Sequence, residues 1–218
     1  MKEYVLNSDE EEIKRFSKLS GEWWKVNGAF APLHRMTPIR IEFILKVLTE
    51  GQAYPISDKQ PLKNLNIIDV GCGGGILSEP LKRLGARITG IDASETAIQS
   101  ARLHSEKSNL EINYLVGTVD RLIEQKKFYD LVIASEVIEH VKDPNDFIKG
   151  LKKLLMPKGK IILTTLSRSL KSFLIAKVAA EYLTNIIPVG THEWKKFLNP
   201  QELETLLASD GFRVDYIK

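Results

Sequence analysis

Two short stretches of the chain carry residue types whose spacing could do chemistry. In the first, Ile67-Ile68-Asp69-Val70 runs into Gly71-Cys72-Gly73-Gly74-Gly75, an apolar run that meets an acid and then four glycines in five positions. That composition predicts a buried strand breaking into a turn where backbone must approach a ligand closely. The second is Ser135-Glu136-Val137-Ile138-Glu139-His140-Val141. If it forms a helical turn, Glu136, Glu139 and His140 share one face at i, i+3 and i+4. Two carboxylates and an imidazole so placed could hold a divalent cation such as Mg²⁺. Without a metal, the same residues could line a substrate pocket or supply a general base. His192, in the polar loop Gly190-Thr191-His192, is either a further candidate base or a histidine that orders a lid. Cys72 has no basic neighbour in sequence and reads as a small side chain tolerated by close packing, not as a nucleophile.

The elements that must position these groups follow from periodicity. Strands are expected at 67–70, 86–91 (ending at Asp92), 112–116, 129–134 and 160–165. Helices are expected between them at 76–84, 94–107 (capped by Ser94), 118–125 and 144–155, with Pro157-Lys158-Gly159 as a turn. Strands alternating with helices imply an α/β fold, a mostly parallel twisted sheet with helices on both faces. Upstream, a helix over 9–26 reaches Trp23-Trp24, and a second begins with Thr37 as N-cap and Pro38 at the first helical position. Residues 1–62 thus form an N-terminal helical appendage and linker, and 63–218 the main domain. Residues 169–187 read as a long apolar helix within an insertion or lid at 168–198. Asn199 caps a helix from Pro200, and Phe212 to Ile217 alternates like a strand.

Composition narrows the class. Hydrophobic residues at 43% and charged residues at 27% are ordinary globular values, which removes disordered and fibrous classes. A formal net charge of +3 is too small to indicate a nucleic-acid partner. A single cysteine excludes an internal disulfide and fits a reducing compartment. Met1 to Glu12 is polar and acidic, unlike a presequence.

The glycine spacing selects a cofactor. A dinucleotide fingerprint would need a glycine where Ile76 stands. Asp69-x-Gly71-x-Gly73-x-Gly75 instead resembles the first motif of class I S-adenosylmethionine (SAM)-dependent methyltransferases. Asp92, with Ala93 beside it, closes the next strand where an acid can accept hydrogen bonds from ribose hydroxyls. By analogy, Gly117-Thr118-Val119 would lie near the adenine.

Further segments occur in a fixed order: Gly21-Glu22-Trp23-Trp24, Ala31-Pro32-Leu33-His34-Arg35-Met36, the glycine loop, Glu136 to Val141, and Pro188 to Trp194. Together they closely resemble the O-methyltransferases of ubiquinone biosynthesis, over nearly the whole chain from about residue 12. The resemblance implies methylation of a catechol-type hydroxyl on a polyprenylated phenol or quinol. It implies cofactor contacts from Arg40, Gly71, Asp92 and Ser135, and Mg²⁺ ligation by Glu136, Glu139 and His140. A cation chelated by both ring oxygens would lower the hydroxyl pKa and fix the ring.

It also links residues 168–190 to peripheral membrane contact. The location would be the cytoplasmic face of the inner membrane in a bacterium, or the matrix side of the mitochondrial inner membrane in a eukaryote. A ubiquinone-biosynthesis protein complex is a further expected partner. The family's closing strand pair is expected to be incomplete, since Phe212 to Ile217 can supply only one strand. Two other readings stay open: a methyltransferase for another small-molecule or protein acceptor, and a SAM-binding protein with a scaffolding role.

Overall fold

The computed structural model describes residues 13, 17, 19–50, 59–165 and 197–218. At its centre lie five strands, β1 (Asn66–Val70), β2 (Arg87–Asp92), β3 (Asn113–Val116), β4 (Tyr129–Ser135) and β5 (Leu155–Thr164), in the order β3-β2-β1-β4-β5. Every pairing is parallel. The helices described in full are α1 (Ala31–Glu50), α2 (Ser78–Arg83), α3 (Glu95–Lys107), α4 (Val119–Glu124), α5 (Pro144–Lys153) and α6 (Pro200–Ser209).

Strand periodicity sends alternate residues to opposite faces, and both faces are covered. Ile67, Leu131, Ile133 and Ile162 pack with Ile44, Val47 and Leu48 of α1 and with Leu81 of α2. Ile68, Val132 and Ala134 point the other way, onto Leu122 of α4 and Phe147, Ile148 and Leu151 of α5. The chain reverses direction of build between β1 and β4, so the carboxyl ends of these two strands flank a topological switch point, where open α/β sheets bind ligands. Both chemically promising stretches leave the sheet there.

Several helix ends obey their caps. The Ser94 side chain accepts from the Ala97 amide, Asp143 accepts from Asn145 and Asp146, and Asn199 and Glu202 form a reciprocal capping box.

Elsewhere the structure corrects expectation. Trp23 and Trp24 do not ride on a helix; they sit in a turn after a short 3₁₀ segment, Ser20–Glu22. Helix α1 starts at Ala31, so Thr37 is interior and not an N-cap. Its Oγ1 donates to the Leu33 carbonyl at 2.8 Å, and Pro38, which has no amide to offer, follows inside the helix. Pro157-Lys158-Gly159 is no separate turn but a bulge in β5. Tyr129 pairs with Leu155 and Leu131 already with Lys160, which lets the proline escape the ladder. Phe212 to Ile217 pairs with no strand among the described residues; Phe212 and Val214 instead lean on the apolar layer around Leu207. The expected helix at 169–187, the 168–198 insertion as far as residue 196, and His192 lie outside the described residues.

Candidate functional site

The glycine loop is built by backbone geometry that side chains would spoil. Gly71, Gly73 and Gly75 all take positive φ, at 68°, 53° and 86°. A Cβ on Gly71 would overlap Val137, and one on Gly73 would enter the Trp23 ring. The loop is therefore wedged between the acidic segment after β4 and the paired tryptophans. Amides of Gly71 and Cys72 both donate to the Ile91 carbonyl, tying the loop to β2.

Asp92 anchors the other wall. One carboxylate oxygen accepts from the Gly73 amide at 2.9 Å and the other from the Ser94 amide at 2.8 Å. An ionised carboxylate has about four acceptor positions, so two hydroxyls of a ribose can still be taken. Burial nevertheless raises its pKa, and these two amides oppose the rise. Asp69, behind the loop, is buried too and receives the Ser78 hydroxyl at 2.6 Å. Its pKa is pushed up to about 6, first by burial and then by the charge of Asp92, against the Ser78 hydrogen bond and the Arg40 guanidinium.

The acidic segment does not form the single helical face that its spacing suggested. Glu136 has φ of +56° and leaves β4 in the left-handed region, while Glu139 and His140 sit on a 3₁₀ turn, Ile138–His140. Arg40 reaches from α1 to Glu136 Oε1 at 3.0 Å, and Thr164 Oγ1 donates to that oxygen at 3.1 Å. With the Thr164 proton so committed, Ser135 Oγ donates to Thr164 at 2.7 Å. Thr165 Oγ1 donates to Glu139 Oε2 at 3.0 Å. Burial and the charge of Glu136 raise the Glu139 pKa. Among the described residues no group of three or more His, Cys, Asp or Glu is placed to hold a metal ion. As arranged, with Arg40 and Thr164 on one carboxylate and Thr165 on the other, Glu136, Glu139 and His140 do not fit a divalent cation.

These groups surround one cavity of about 1000 Å³. Arg40, Asp69, Gly71 and Gly73 line it; so do Asp92 and Ala93 after β2, and Thr118 and Val119 after β3. Ser135, Glu136, Glu139 and His140 form the wall beyond β4. Gly75 alone of the described candidates stands back from it, against Tyr114. The buried Arg40 Nε and Trp23 Nε1, on residues that line the cavity, have no hydrogen-bond partner among the described residues. Buried donors without acceptors are costly in an otherwise satisfied interior and suit a ligand that brings oxygens.

Several contributors leave no signature in the sequence. Trp24 Nε1 donates to the Gly74 carbonyl at 3.0 Å, and its ring stacks on His104 at 3.4 Å. Thr164, Thr165 and Ser78 hold the acids. A hydroxyl at the end of a strand gives no period to read, and stacking between residues so distant in sequence leaves none either.

A parallel sheet in this order, with a left-handed glycine cradle after β1 and an acid after β2, defines a class I SAM-dependent methyltransferase. The family model described as "Methyltransferase domain" matches residues 35–217. The ubiquinone biosynthesis O-methyltransferase of Pelagibacter ubique is 46% identical over 91% of this chain and 82% of its own length. The protein of the same name from Bartonella quintana is 41% identical over 98% and 87%. The chain belongs to the ubiquinone biosynthesis O-methyltransferase family, and it is a SAM-dependent enzyme. Among solved structures it is similar to magnesium protoporphyrin IX methyltransferase from Synechocystis PCC 6803 with bound SAH, with a TM-score of 0.69, 19% identity, and coverage of 95% of this chain and 91% of that one. A possible histamine N-methyltransferase from Thermotoga maritima follows at a TM-score of 0.62, 20% identity, 93% and 82%. At such identities the likeness carries the fold alone.

Proposed function

We propose that this enzyme methylates a catechol-type hydroxyl of a polyprenylated ubiquinone precursor. The observation that carries the reading is the placement of Glu139 and His140 across one cavity from the glycine cradle and Asp92, in a chain this similar to enzymes of that name. When bound, SAM supplies a sulfonium methyl for in-line displacement and leaves as S-adenosylhomocysteine. Asp92, its carboxylate held by two amides, accepts the ribose hydroxyls, and Thr118 and Val119 border the adenine. Arg40, Asp69 and Ser135 shape the space between cofactor and acceptor.

A phenolic oxygen is a weak nucleophile until its proton leaves, so a base within reach of the acceptor governs the rate. His140 takes that role and passes the proton to solvent after transfer. His192 is the alternative base. Positioning the oxygen in line with the methyl supplies most of the remaining acceleration.

A metal-assisted form of the same reaction is the alternative that the family resemblance implies, and the carboxylates as arranged do not fit it. It requires Arg40 to release Glu136. Activity after exhaustive chelation, with and without added Mg²⁺, separates the two forms.

A polyprenyl tail has to be drawn from a membrane, and residues 168–190 are proposed as the peripheral contact; no described helix is long and apolar enough to cross one. The location is then a membrane surface, cytoplasmic or matrix-side, with other ubiquinone-biosynthesis proteins as partners. Liposome flotation unchanged in a Phe173→Glu, Leu174→Glu variant would count against that contact. The acceptor is tested by offering a short-tailed catechol, the matching monophenol and a peptide, with the methylated atom located by mass spectrometry. Methyl on a catechol oxygen alone is expected; equal turnover on the peptide contradicts the proposal.

A further inference from the structure

The glycine loop is closed into a ring of contacts that the chemistry above leaves unused. Its Gly74 carbonyl accepts the Trp24 indole N–H at 3.0 Å. The Trp24 ring lies flat on the His104 imidazole, centroids 3.4 Å apart and planes 3° from parallel. His104 Nδ1–H donates to Glu79 Oε1 at 2.6 Å. The Glu79 amide then donates to the Gly75 carbonyl at 3.1 Å, one residue from the start. The circuit thus runs Gly74, Trp24, His104, Glu79, Gly75.

Stability alone does not account for it. Glu79 is almost fully buried, and its other oxygen faces the exposed Arg83 at 3.7 Å. Burying a carboxylate against an imidazole is often no better for stability than an apolar pair of the same volume. What the pair provides is orientation: a carboxylate on Nδ1 fixes the tautomer and the plane of the ring. That plane is the one on which Trp24 stacks, and Trp24 sets where the Gly74 carbonyl points. The neighbouring Trp23 covers Gly73 and Gly74, stacks on Phe30 at 3.7 Å, and is held through its carbonyl by His34 Nε2–H at 2.8 Å.

We propose that Glu79 and His104 are positioning residues for cofactor binding, acting through Trp24 to hold the glycine loop in its ligand-accepting shape. Neither lines the cavity, so neither touches the reacting atoms. Loss of the circuit weakens SAM binding and leaves the transfer step of the saturated enzyme intact.

The test is steady-state kinetics on the full chain with SAM and acceptor varied separately. His104→Ala and Trp24→Phe are each expected to raise the KM for SAM about five- to tenfold, the scale of one hydrogen bond or stack. The kcat at saturating SAM and the KM for acceptor stay within about twofold. Because the residues act in series, the double variant is no worse than the poorer single one. A general loss of folding would instead lower the apparent kcat through a smaller active fraction and leave both KM values unchanged, an outcome that overturns the proposal. If His104→Ala does not fold, His104→Phe keeps the ring and Glu79→Gln the side-chain length, and both are expected to raise the KM for SAM. Wild-type KM for SAM in these variants, or single effects that multiply in the double variant, overturns the proposal.

Discussion

The Arg40 guanidinium and the Glu136 carboxylate meet at 3.0 Å with both side chains mostly shielded from water, joining α1 to the end of β4. Removing one partner strands the other. Arg40→Met, which keeps the apolar stem, is expected to lower stability by about 1–3 kcal/mol and turnover by about tenfold or more. Glu136→Gln added to it should recover part of the stability, because the uncompensated charge is gone. Urea melts of the three variants measure this.

Gly73 carries two constraints at once, φ of +53° and a ring where its Cβ would be. Gly73→Ala is expected to weaken SAM binding by about tenfold or more, given a left-handed cost of about 1–2 kcal/mol plus the clash. Trp23→Ala in the same chain relieves the clash but not the backbone cost, so calorimetry should show partial recovery only.

Asp69 makes stability depend on pH with an unusual sign. Its folded pKa of about 6 exceeds the unfolded value of 3.8, so between these pH values the native state holds the extra proton. The Asp69 contribution is therefore most favourable below the unfolded pKa and is lost as pH rises through about 6, by on the order of 3 kcal/mol. Asp69→Asn is expected to be more stable than the parent at pH 7.5 and to differ little from it at pH 4, as roughly chosen endpoints on either side of that window. Paired unfolding curves read the difference, in which the other carboxylates cancel.

His140, as base, acts on the acceptor and not on the cofactor. His140→Asn is expected to cut kcat by about a hundredfold or more with the SAM affinity unchanged. A larger loss in His192→Asn than in His140→Asn would transfer the role to His192.

Much of this was legible from residue order because α/β layers write period and punctuation into the chain. Ile67 to Gly75 announced a strand and a cofactor turn, and Ser94 and Asn199 announced helix starts. The misses have local causes. Thr37-Pro38 fits a helix start, but it also fits a helix interior in which threonine bonds back to Leu33. The spacing of Glu136, Glu139 and His140 presumes continuous helix, and nothing about a glutamate signals that it will take positive φ. Phe212 to Ile217 alternates like a strand, yet alternation supplies no partner among the described residues. Trp24, His104 and Glu79 come from three elements, so their meeting is a property of the packed fold.

The central claim, that the cradle and the acidic wall serve O-methylation of a polyprenylated catechol, is tested most directly by radiolabelled methyl transfer. Labelled SAM is given to the enzyme with a short-tailed catechol precursor and with its tail-less counterpart. Label is expected on a catechol oxygen, with kcat/KM higher for the tailed acceptor and lowered about tenfold or more in Gly73→Ala. SAM binding without transfer to either catechol would contradict it.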